Sequence, residues 1–484
     1  MAQVNGELLQ SGQLKLRVNA DGQLANEGKN ASSELPVGSG NHLFKFINLW
    51  ISGYDAANNL YISTVNGFAN KSDYSCGPLD SLSLKGADPN DWNKVWAINA
   101  TDITQHRQNF KNQGYIPSEA IKNWPANGSG RFNQYLAPFI DYNQDGKYDP
   151  LNGDYPDVLG DNALYFICND NYAEHKASGG QPLKIEIYAM AYTFQNTPNT
   201  IFIKYYLINK TGIDLLKIKT AFHAGFELGH AEDNYCGTHV QKNTIFAYNG
   251  DNKDEGHYET NMPIAALISL NKPLESTVYI TNDTNSNSGM PSIPMEHRLM
   301  MEGKWKSGKQ VTHGSNGMQN SLLTQFVFPG VTDPNFATTN WVENTTPGQR
   351  SMLANLRTEN LPSKGFIVID LAITGFDKSS QDPYTFIGNK VDEIKTNWMS
   401  QSAKTGPKLT LKNYTLKSPS LIGENLYESW FNEFESISVY NQLGELIYQT
   451  KTNVDNSLII KQTGIYYISF IASNQILTKK ILIL

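Results

Sequence analysis

The amino-acid sequence predicts a mainly β protein: a large antiparallel β-sandwich region with a few inserted helices, followed by a small C-terminal β-sandwich. Three observations lead there. Short runs of alternating apolar and polar residues recur along the chain, punctuated by Gly, Asn and Asp. Helical periodicity is confined to a few stretches. Hydrophobic residues make up 39% and aromatics 11%, against 18% charged. A chain of 484 residues with that composition can bury a core, so wholesale disorder is excluded.

The elements follow in order. LKLRV, HLFKFINLWISG and NLYIST read as strands between residues 7 and 65. DWNKVWAINATDITQHRQNF, from Asp91, reads as one helical stretch with Trp92 and Trp96 a turn apart. PSEAIKNW, from Pro117, reads as a second short helix that Pro125 ends. LKIEIYAMAYTFQ and TIFIKYYLIN are strands joined through the turn NTPN. TVYI, LLTQFVFPG and GFIVIDLAITGF extend the strand pattern, and VDEIKTNWM, Val391 to Met399, is a helix. Near Ser400 the composition turns polar with two prolines. The division expected is a large region over 1–400, which two sub-domains could share, a linker over 401–415 and a strand-rich domain over 416–484.

Charge and motifs narrow the function. A net charge of -7 supplies no basic footprint, so nucleic acid is not the expected partner. No apolar run approaches the roughly 20 residues of a transmembrane helix. The N-terminus MAQVNGELLQSGQLKLRV has no basic n-region or apolar h-region, so a signal peptide is not expected within this chain. Cys76, Cys168 and Cys236 fit neither a disulfide framework nor a CxxC motif and read as buried small hydrophobes. No GxSxG, Walker or GxGxxG motif appears, and nothing local supports a protease built on Cys236. Trp92, Trp124, Trp305 and Trp341 could stack on sugar rings, but packing is the reading preferred. Asn-Gly-Ser at 127–129 matches a glycosylation sequon and reads as a turn.

The strongest chemistry lies in DYNQDGKYD, from Asp141. Asp141, Asn143, Asp145 and Asp149 place oxygen side chains at every second residue or nearly so. Gly146 allows the sharp turn through which Lys147 offers its carbonyl to one hard cation. The twelfth place is Asn152 rather than Glu, so Asp154 or Asp157 would supply the last carboxylate of a structural Ca2+ site. Pro150 and Pro156 argue for loop on its distal side.

The C-terminus carries a resemblance. SVYNQLGELIYQ, then KQTGIYYISFIASNQILTKKILIL, resembles the type A C-terminal sorting domain of type 9 secretion system cargo. Tyr440 and Gly444 match its hairpin, Gly464 and Tyr466 its G-I-Y strand, and Lys479 and Lys480 its Lys-rich last strand. The usual Pro-Asn-Pro opening is replaced by Ser418-Pro419-Ser420. The resemblance implies a Bacteroidetes-type cell, export through both membranes and engagement of the type 9 machinery. That route needs a signal peptide, so the chain is expected to be a mature sequence with an added Met1. NLWISGYDAANNLYIST, CGPLD, WNKVWAIN, NWPANG and APFIDYNQDGKYDPLNGDYP likewise resemble a large region of such cargo, over about residues 15–400. That likeness implies a location and a fold, not an activity.

His223, His230, His239 and His257 cluster in sequence with Cys236 and several carboxylates, donor types that suit a transition metal. GFELGHAEDNYCGTH also resembles an acidic segment of the cargo family. That likeness implies a second calcium-like site at Glu227, Asp233 and Asn234, which imidazoles in place of acids weaken. A polar loop without an ion is the other reading.

The expectation is a secreted or outer-surface protein: a calcium-stabilised structural, adhesion or glycan-binding module, with a glycan or surface ligand as partner. A polymer-degrading hydrolase centred on residues 223–257, and a self-assembling surface subunit, are the alternatives.

Overall fold

The computed structural model describes residues 4–133, 135–143, 145–251, 253–344, 346–377 and 382–405, and the strands at 420–421, 436–441, 446–451, 464–472 and 475–483. Its long strands, in chain order, are β1 (Gly6–Ser11), β2 (Leu14–Asn19), β3 (Phe44–Tyr54), β4 (Leu60–Ser63), β5 (Asn162–Asn169), β6 (Ile185–Thr193) and β7 (Thr200–Asn209). They continue with β8 (Leu215–Phe226), β9 (Asn234–His239), β10 (Thr244–Asn249), β11 (Pro263–Ser269), β12 (Leu274–Ile280), β13 (Ser351–Leu356) and β14 (Phe366–Asp377).

Strands β3 to β14 build two antiparallel sheets, while β1 and β2 pair with the short strand Ser33–Glu34 in a third. The larger runs β5-β6-β7-β14-β11-β10-β9, with short strands Ser75–Cys76 and Trp96–Asn99 both pairing with β5. The smaller runs β12-β13-β8-β3-β4. Their facing sides share one core. Ile187, Ile203, Leu371 and Leu267 of the larger sheet belong to the same cluster as Ile47, Ile51, Phe222 and Met352 of the smaller. This is the expected sandwich, mainly β with few helices.

The larger sheet is covered on its other face as well. Tyr165, Tyr188, Met190, Tyr192 and Phe202 point into a second cluster, which Ile103, Ile121, Trp124, Ile387 and Val391 close. The last five come from helix α1 (Ala100–Asn109), the one-turn helix Glu119–Lys122 and its sequel, and helix α3 (Pro383–Thr405). Every residue of β6 is therefore buried, which explains why IEIYAMAYT lacks the polar alternation of a strand with one wet face. A further helix, α2 (Pro294–Met301), packs on the smaller sheet, where Arg298 donates to the Ser52 hydroxyl (3.1 Å) and the Lys217 carbonyl (2.9 Å).

Three local expectations are corrected. The stretch from Asp91 is not one helix: a turn at Pro89–Trp92 precedes the strand Trp96–Asn99, and α1 begins only at Ala100. Asn99 explains the start, because its side chain accepts from the Asp102 amide and caps the helix. Trp92 and Trp96 still pack edge to face, at 6.2 Å. LLTQFVFPG is not a strand either. Phe328 there has φ +48°, which breaks an extended run, while the segment fills the core through buried Val327 and Phe328. Helix α3 starts at Pro383, earlier than Val391, and runs to Thr405, five residues into the expected linker.

In the C-terminal segment, Ser436–Asn441 pairs antiparallel with Leu446–Lys451 and with Gly464–Ala472, which pairs in turn with Gln475–Ile483. Tyr440, Gly464, Tyr466, Lys479 and Lys480 lie in these strands, and Gly444 lies outside the described residues. Among the described residues no helix is long and apolar enough to cross a membrane.

Candidate metal loop

The loop that follows Phe139–Ile140 folds around its own first carboxylate. Asp141 accepts the amides of Asp145 (3.2 Å) and Gly146 (2.8 Å), which forces a tight turn. Gly146 sits at φ +78°, the left-handed region that glycine enters without strain. Asn143 Oδ1 accepts the Asp145 amide (3.2 Å), and Asp145 accepts from the Lys147 amide (2.9 Å) and the Asn143 side-chain amide (2.9 Å). Lys147 follows the turn as an exposed residue whose carbonyl is the donor atom of interest. Asp149 is used differently: it caps the 3-10 turn Pro150–Asn152, accepting from the Leu151 amide and the Asn152 side chain.

Asp154 closes the loop from beneath. It is fully buried, and its oxygens accept the amides of Tyr142 (2.8 Å) and Asp149 (2.7 Å), residues on opposite arms of the turn. Burial pushes its carboxyl up, the two amides pull it back, and the nearby charges of Asp141 and Asp145 push it up again. Asp154 thus feels the charges of Asp141 and Asp145, and the donor set is all hard oxygen, which fits Ca2+ and not a soft metal. Among the described residues no three His, Cys, Asp or Glu side chains are grouped to hold a metal ion. In this conformation the loop's carboxylates hold its own amides instead.

Two supports escaped the sequence reading. Tyr135 donates its hydroxyl to the Gly146 carbonyl (3.0 Å). Asn127, first residue of the sequon, clasps Tyr148 through both its amide and its carbonyl, at 2.9 Å each. The alternation of Asn and Gly with Tyr in this region was the available signal, but only the fold pairs them.

The histidines do not converge. His223 is buried in the core among Phe46, Trp50 and Phe68, and its Nε2 meets the Ser351 hydroxyl at 3.0 Å. His239 ends β9, and the site of a Gly388 side chain would lie 2.9 Å from its Nε2, so helix α3 covers it. Burial first, then Lys242, pushes its pKa down to about 4. His230 and His257 stack at 6.3 Å on a loop, and Cys236 is a buried free thiol. A metal centre assembled from these imidazoles has no geometric basis.

Of the second calcium-like set, Glu227 is paired with Lys45 at 2.8 Å. Asp233 and Asn234 are neighbours on the His230 loop, where both Asp233 carboxylate oxygens and Asn234 Oδ1 are buried without hydrogen-bond partners. Burial, and secondarily Asp254, pushes the Asp233 carboxyl up. The tryptophans are packing residues: Trp124, Trp305 and Trp341 are buried, and Trp92 lies edge-on against Trp96 and Phe132.

No family model matches the chain, and no curated protein matches it.

Proposed function

We propose that the chain is a non-enzymatic extracellular module, structural or ligand-binding, held rigid by one calcium ion in the Asp141–Asp154 loop. The observation that carries this reading is the left-handed turn at Gly146, closed by Asp141 and Asp145 with buried Asp154 bracing it from beneath. A divalent cation would relieve the repulsion on Asp154 and tie Tyr142 to Asp149, and through Tyr148 to the helical layer on the larger sheet. Asp141, Asn143, Asp145 and the Lys147 carbonyl would hold it, with Asp154 bracing the loop. Weak affinity suffices outside cells, where calcium is abundant. The separation of His223, His230 and His239 gives no support to a histidine-metal form of the hydrolase reading.

The C-terminal segment acts in this proposal as an address for type 9 export, on the strength of the resemblance through Tyr440, Gly464, Tyr466, Lys479 and Lys480. A reporter fused to residues 416–484 and released from a type 9-competent cell would bear that out; retention in the periplasm would count against it.

Metal content by mass spectrometry on chelator-free protein, with melting curves before and after EDTA, tests the calcium reading. One bound calcium and a clear fall in Tm on chelation are expected, with Asp145→Ala abolishing the response. Absence of bound metal together with an unchanged Tm removes the proposal.

A further inference from the structure

Helix α1 carries an exposed polar stripe whose two cations rest on aromatic rings rather than on carboxylates. Thr104, Arg107, Gln108 and Lys111 follow the i, i+3, i+4, i+7 spacing of one helical face, the last just beyond the helix end. All four are exposed. They form one wall of a groove of about 470 Å³ whose opposite wall is Tyr142, Gly153 and Tyr155. The Arg107 guanidinium lies 5.3 Å from the Tyr155 ring centre, and Lys111 Nζ lies 5.4 Å from both Phe110 and Tyr142. Among the described residues neither cation is in an ion pair. Gly153 sits at φ +104°, and a side chain there would come within 2.6 Å of the Phe110 ring, so the wall is shaped by a glycine.

We infer that this groove binds an anionic saccharide. The two cations would take carboxylate or sulfate groups, Arg107 with its two-pronged donor geometry. Tyr142, half exposed, and Tyr155 carry those cations over their rings and add apolar surface to the groove wall against which a sugar could lie. Gln108 and Thr104 add neutral polar groups for hydroxyls. The inference rests on the reading of the chain as a binding module and names its ligand class. Because Tyr142 also donates its amide to Asp154, the groove wall and the metal loop share a backbone.

The test is isothermal titration of the full chain with a hyaluronan tetrasaccharide, a heparin-derived sulfated oligosaccharide and a neutral cello-oligosaccharide, beside the double variant Arg107→Ala/Lys111→Ala. Binding of one anionic probe is expected, the probe that binds deciding between carboxylate and sulfate. The double variant should weaken it about tenfold or more at an unchanged Tm, since one lost charge-assisted contact is worth about that factor. Failure of both anionic probes to bind overturns the inference, as does undiminished binding by the double variant or equal affinity for the neutral probe. Undiminished binding would still leave the module reading standing. Absence of bound metal with an unchanged Tm on chelation would instead strike the calcium reading and leave the groove.

Discussion

His223 makes stability depend on pH in a way that one substitution isolates. The imidazole is completely buried, and burial, with His297 adding repulsion, pushes its pKa down to about 3. In the unfolded chain a histidine titrates near about 6.5. The folded state therefore refuses a proton that the unfolded state accepts. The neutral-histidine contribution is complete above about pH 6.5 and is lost as pH falls from there toward 3. At pH 5.0 the gap is about 1.5 units at about 1.4 kcal/mol each, so the loss is about 2 kcal/mol. His223→Phe removes the proton site and keeps a ring against Phe46, Trp50 and Phe68. Ser351 stays satisfied, because its hydroxyl already donates to the Ile280 carbonyl at 2.7 Å. Urea unfolding of both proteins at pH 7.5 and 5.0 should show the wild type losing about 2 kcal/mol more than the variant between the two. Parallel losses would mean that His223 is not held neutral, and the reasoning fails.

Other outcomes follow from particular contacts. Trp50→Ala removes a fully buried indole whose N–H donates to the Val65 carbonyl at 2.9 Å, so urea unfolding should register a loss of about 3–5 kcal/mol. Gly229→Ala would place a Cβ 1.8 Å from Asp254 Oδ2 at φ +55°, and should cost at least about 2 kcal/mol while hydrogen exchange around His230 speeds up. Cys76, Cys168 and Cys236 are all buried free thiols that burial pushes up in pKa. A thiol reagent should leave the native protein untouched and titrate all three in denaturant; reaction of any one in the native state would contradict their burial.

Most strands were legible because their residue alternation survives wherever one face meets the core, as in LKLRV. What covers the second face of β6 was not, since a run such as IEIYAMAYT records only that both sides are covered. LLTQFVFPG misled for a related reason: its apolar residues are truly buried, but a single left-handed residue, Phe328, turns them into an irregular wedge. The tight turn from Asp141 to Lys147 was legible from spacing, because the residues that close it are near neighbours in sequence. The histidine cluster could not be read that way. His223 lies inside β8, His230 on the next loop and His239 at the end of β9, and the sheets carry them apart. The stripe at Thr104, Arg107, Gln108 and Lys111 was written in helical spacing, yet the wall it faces comes from residues some thirty to fifty positions on, which only the fold reveals.

The place of β14 has a consequence for how the protein is made. It is the last long strand of the sandwich, yet it lies in the middle of the larger sheet, pairing Leu371 with Ile203 of β7 and Ile373 with Leu267 of β11. β13 likewise completes β8 only after residue 351. A chain appearing from its N-terminus thus carries two half-sheets with open edges until nearly all of the large region is present. Such distant pairings make closure slow, and the unpaired edges invite wrong partners meanwhile. For a polypeptide exported as proposed here, that delay is useful: the barrier to premature folding is built into the order of the strands, and the final strand acts as the keystone that turns a threadable chain into a rigid one.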